Sequence, residues 1–101
     1  MEHKLNKNDR IEYSVNRSTL KAFAEQHIIK RALLVGTVGD DKKIQYTLKL
    51  ELKSSAHSHV VVGKNGRLRV WGQADSAIDY LYKVGITEIG IILRNNRENE
   101  L

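Results

Sequence analysis

Cysteine and proline are both absent from the 101 residues. Without cysteine there is no disulfide, no thiolate zinc site, no iron–sulfur cluster and no cysteine nucleophile, and the setting implied is the cytoplasm. Without proline, chain reversals fall to Gly, Asn and Asp. Long apolar runs are missing too. Ala32-Leu33-Leu34-Val35 and Gly90-Ile91-Ile92-Leu93 are the longest, against the roughly 20 residues that cross a bilayer. No apolar stretch follows the charges of Met1-Glu2-His3-Lys4, so this start does not read as a signal peptide and no membrane partner is expected.

Catalytic patterns are equally scarce. Gly36 and Gly39 lack the Gly-Lys-Ser/Thr ending of a phosphate loop, and no seryl-hydrolase signature occurs. Asp40-Asp41 reads as a turn, and helix capping explains Asp75 and Asp79 without acid–base chemistry. His57 and His59 would project to one side of an extended segment, but two histidines without a third ligand do not make a metal site. The chain therefore reads as a non-enzymatic protein without a cofactor.

What is present is the balance of one small globular domain: 41% hydrophobic and 29% charged residues, enough for a modest core. A single domain over 1–101 is expected, with 1–9 and 95–101 as frayed ends. Seventeen Lys and Arg against twelve Asp and Glu leave a formal charge of +5, which favours polyanionic partners.

Period-two alternation at Ile11, Tyr13 and Val15 predicts a short strand. Ser18 or Thr19 can cap a helix whose apolar stripe is Leu20, Phe23, Ala24, His27 and Ile28, with His27 partly buried. A strand follows at Ala32–Val38. After the Gly39-Asp40-Asp41-Lys42 turn, Tyr46, Leu48, Leu50 and Leu52 alternate with polar residues in a half-buried strand. Further on, Ser76 and Asp79 match a capping box, and Gly85-Ile86 matches a Schellman ending, before a closing strand over Glu88–Leu93. The fold class is α+β: a mainly antiparallel sheet of two hairpins with two helices on one face.

Between these helices Asn65-Gly66 separates two β-prone runs and predicts a two-residue type I′ hairpin turn. That register sets Lys64 opposite Arg67, Val62 opposite Arg69 and Val60 opposite Trp71. Val61, Leu68 and Val70 would then face the core, while Lys64, Arg67, Arg69 and Trp71 share the other face with Val60 and Val62. Arginines reach phosphates, and an exposed indole stacks on bases, so this face is the candidate nucleic-acid surface, with Lys49 and Lys53 extending it. Trp and Arg are also enriched at protein interfaces, so a protein partner or a homodimer through the same face or a sheet edge is the alternative.

Gly66-Arg67-Leu68-Arg69-Val70-Trp71, then Ala74 to Leu81, then Val84-Gly85-Ile86, follow an order that resembles ParC-type plasmid partition-associated small proteins. The resemblance covers residues 60–93. It implies an accessory role in maintaining or transferring a plasmid or other mobile element, and with the basic face it makes DNA the expected partner.

Overall fold

The computed structural model describes residues 12–95. Of the expected frayed ends 1–9 and 95–101, all but Asn95 lie outside the described residues, as does the apolar position Ile11; Asn95 instead ends the last strand. Seven elements follow in order: β1 (Glu12–Val15), α1 (Arg17–Glu25), β2 (Ile29–Val38), β3 (Ile44–Leu52), β4 (Ser58–Val61), α2 (Ala74–Lys83) and β5 (Gly90–Asn95). They form one five-stranded sheet in the order β1-β4-β3-β2-β5, with both helices on one face. The α+β domain is as expected, but the sheet is mixed. β2, β3 and β4 run antiparallel through tight connections, whereas β1 on β4 and β5 on β2 are parallel. A helix stands between β1 and β2 and another between β4 and β5, which gives each outer strand the crossover that parallel pairing needs.

The alternation along β3 sets the core. Leu48 and Leu50 face the helices and pair with Leu34 and Ala32 of β2, while Lys49 and Glu51 point to the opposite face. Leu20 of α1 and Ala77, Leu81 and Val84 at α2 close over these residues, with Val15 and Val61 completing the layer. Burying each Leu removes its side chain from water at a gain of about 1.5–3 kcal/mol. At Gly36 a Cβ would lie 2.8 Å from Leu93, so the strand glycine is what lets β5 close against β2 on the helix side. On the opposite face Arg31 donates to both carboxylate oxygens of Glu51, at 3.2 and 2.9 Å. This holds Glu51 below the usual carboxylate range and raises the Arg31 guanidinium.

Helix ends depart from expectation at their starts and agree at one finish. Asn16, rather than Ser18 or Thr19, caps α1, its Oδ1 accepting from the Thr19 N–H at 2.9 Å. α2 begins at Ala74 after Gln73, which makes no side-chain cap, so the Ser76–Asp79 capping box does not form. Asp75 in the first turn supplies the charge that favours this end instead. At its finish Gly85 is left-handed (φ 100°); its N–H donates to Tyr82 and that of Ile86 donates to Leu81, which completes the expected Schellman motif.

α1 ends in the same pattern, with His27 in the glycine position at φ 58° and bonds from His27 to Ala24 and from Ile28 to Phe23. His27 is therefore an exposed cap residue and not part of the buried stripe. Because a left-handed side chain costs about 1–2 kcal/mol, His27→Gly is expected to stabilise the protein by about 1 kcal/mol. A higher urea midpoint at unchanged m-value checks this.

The second hairpin carries the main correction. Gly63 donates to the Arg67 carbonyl at 2.9 Å, Gly66 donates to the Gly63 carbonyl at 3.0 Å, and Gly66 alone of this loop has positive φ. This is a three-residue loop ending in a left-handed glycine, not a type I′ turn at Asn65-Gly66. Asn65 Oδ1 holds the Arg67 N–H at 3.0 Å. The first hairpin turn repeats every bond: Gly39 to Lys43, Lys42 to Gly39 and Lys43 to Asp41 Oδ1, with left-handed Lys42 in the place of Gly66.

The extra loop residue shifts the register by one, so that Val62 bridges Leu68 instead of Arg69. A slip of one residue exchanges the two faces. Val62 and Trp71 are buried, and Leu68 and Val70, expected in the core, are exposed. Trp71 does not pair with Val60 at all: it exchanges two 2.9 Å hydrogen bonds with Tyr46 of β3.

Candidate functional site

The tight passage from β1 to α1 sets the helix start directly at the carboxyl ends of the parallel pair β1 and β4. The 62–69 loop leaves β4 at the same end, anchored by the Val62 N–H on the Val15 carbonyl at 3.0 Å. Between helix start and loop lies a groove of about 660 Å³. Its walls carry Arg17 and Lys21 from α1 and Lys64 and Arg69 from the loop, with Tyr80 of α2 also lining it. No Asp or Glu lines it among the described residues.

Trp71 and Tyr80 set the position of Arg69. The two rings pack at 5.1 Å, and the Arg69 guanidinium lies 5.0 Å from the indole centroid and 5.1 Å from the phenol centroid. Arg17 approaches the same phenol ring at 5.9 Å. Cation–π attraction of this kind holds each guanidinium at about 0.5–1 kcal/mol when exposed. It also holds two like charges around one ring.

Tyr80 is 8% exposed, and its hydroxyl is buried without a hydrogen-bond partner. Burial pushes the phenol above its ordinary range, while the charges of Arg69 and Arg17 pull it back. Since the folded state favours the neutral phenol, the stability this contributes is present below the unfolded value of about pH 10 and lost as pH rises through the raised folded value. Tyr80 is expected to titrate above the ordinary tyrosine range. An absorbance titration at alkaline pH should lose a step above that range in Tyr80→Phe.

Lys64 and Arg69 line the groove together with Arg17 and Lys21, two residues outside the expected site. Arg67 is exposed on the same loop but outside the groove. Trp71, at 7% exposure, lies beneath Arg69 and offers no open face for a base. Lys49 points from β3 to the side of the sheet opposite the helices. Lys53 lines a different depression, with His27 and Glu88, at the far end of β3 from Tyr46. Neither lysine extends the site. A signal for Arg17 did exist in the sequence: a cation opening a helix whose first turn holds no acid opposes the helix dipole.

The paired histidines both meet Tyr13 but differ in burial. His59 is buried against Tyr13 and Phe23, while His57 is exposed and meets Tyr13 edge-on at 5.2 Å. Among the described residues, no three His, Asp or Glu gather where they could hold a metal ion, and no described helix is long and apolar enough to cross a membrane. The chain matches no protein-family model, no curated protein and no solved structure.

Proposed function

We propose that this is a small non-catalytic nucleic-acid-binding protein, DNA being favoured, that attaches through the groove between α1 and the 62–69 loop. One observation carries the reading: Arg17, Lys21, Lys64 and Arg69 converge from two segments on one concavity, and none forms an ion pair with a described residue. Four converging cations that no described acid neutralises repel one another, and a polyanion relieves that repulsion. Attachment is electrostatic, with Trp71 serving to hold Arg69 rather than to stack on a base. The likeness of residues 60–93 to ParC-type proteins supplies the proposed setting, an accessory of a plasmid or other mobile element acting in the cytoplasm.

Fluorescence anisotropy with labelled single- and double-stranded oligonucleotides tests this reading. Micromolar binding at low salt supports it, and absence of binding at low salt removes it.

A second reading rests on β5, the last strand in the sheet order. Ile91 and Leu93 are 59% and 60% exposed there, on the face that the helices cover elsewhere. Edge pairing with a second copy would bury them and yield a homodimer. Sedimentation of the wild type against Ile91→Lys separates a dimer from a monomer.

A further inference from the structure

The helix start in the groove is more specific than a basic surface. Asn16 satisfies two of the first N–H groups of α1, its carbonyl taking Leu20 and its Oδ1 taking Thr19. The N–H groups of Arg17 and Ser18 find no partner among the described residues. Two backbone donors with no described partner at a positive dipole end suit an anion. Independent observations at the same groove point to the same ligand. Tyr80 lines the groove with its hydroxyl buried and unpartnered, and Arg17 and Arg69 are held around the Tyr80 ring with no described acid lining the groove.

We propose that this corner seats one phosphate group of the bound strand, held by the Arg17 and Ser18 N–H groups and the Arg17 and Arg69 guanidiniums, with Tyr80 as the neutral donor. The inference rests on the nucleic-acid reading and names the position where the backbone is gripped. Lys64 and Lys21 flank the seat and can meet neighbouring phosphates of the same strand. Arginine suits the central position because its planar fork meets two phosphate oxygens at once.

The test is an amide and arginine Nε NMR titration of the full chain with inorganic phosphate, with a 5′-phosphorylated single-stranded oligonucleotide, and with chloride at matched ionic strength. Phosphate and oligonucleotide are both expected to shift Arg17, Ser18 and the Arg69 Nε saturably, and chloride is not. Tyr80→Phe, which keeps the ring, should weaken both ligands by roughly two- to tenfold, the worth of one hydrogen bond, while Arg67→Ala leaves the phosphate response intact. If the oligonucleotide binds but its largest shifts fall away from Arg17 and Ser18, the seat is wrong and the nucleic-acid reading stands. If phosphate shifts these groups and no oligonucleotide binds, the seat stands as a phosphate site and the nucleic-acid reading fails. Equal shifts with chloride overturn the seat as mere charge screening.

Discussion

Trp71→Ala is expected to cost about 3–5 kcal/mol, the usual loss for deleting a large buried aromatic side chain. The indole is 7% exposed, packs on Tyr80 at 5.1 Å and belongs to the same core cluster as Leu48, Leu34 and Leu81. Domains of this size hold about 5–15 kcal/mol in total, so the variant should sit near the edge of folding, with a melting temperature lower by on the order of 15–30 °C. Urea unfolding followed by far-UV circular dichroism measures this. An anisotropy titration of the folded Trp71→Phe protein separates two roles for the residue. If Trp71 stacked on bases, the folded Trp71→Phe protein would lose affinity; as a support for Arg69, it should keep it.

The second large effect concerns affinity. Arg17→Ala with Arg69→Ala removes both guanidiniums from the groove and is expected to weaken oligonucleotide binding by at least about tenfold, since charge-assisted contacts to phosphate are the strong ones. Both side chains lie at the wall of an open groove, so the fold should survive their loss. The matched control is Lys49→Ala with Lys53→Ala, which removes the same formal charge from the opposite sheet face and the far end of β3. Anisotropy with one oligonucleotide at constant salt compares the pairs. A response to net charge alone would make the two losses equal, whereas a response to the groove confines the loss to the arginine pair.

Much of the scaffold was legible because it depends on local chemistry. The alternation at Tyr46, Leu48, Leu50 and Leu52 can satisfy a half-buried strand in only one way, and β3 follows it. Gly85-Ile86 stops α2 through bonds that span six residues. The hairpin was misread for an equally local reason. Asn65-Gly66 fits a type I′ turn, but the bonds of Gly63 and Asn65 close the three-residue loop Lys64-Asn65-Gly66, and the first turn, Gly39-Asp40-Asp41-Lys42, displays the same pattern of Gly followed two residues later by Asp or Asn. Comparing the two glycine-led turns would have set the register and buried Trp71.

The groove was not legible because no local rule brings its walls together. Arg17 and Lys21 reach Lys64 and Arg69 only through the parallel pairing of β1 with β4, a contact distant in sequence. On a helical wheel Lys21 falls on the solvent side, and it does face solvent, across the groove from the loop.

The most direct test of the groove is the salt dependence of single-stranded oligonucleotide binding, measured side by side for the wild type and for Arg17→Ala with Arg69→Ala. With Arg17 and Arg69 sharing one phosphate and Lys21 and Lys64 each neutralising another, log K should fall against log[salt] with a slope of about −2.1 in the wild type. Losing the shared phosphate contact should flatten it to about −1.4. Identical slopes for the two proteins would mean that the strand is gripped elsewhere, and would contradict the assignment of the groove.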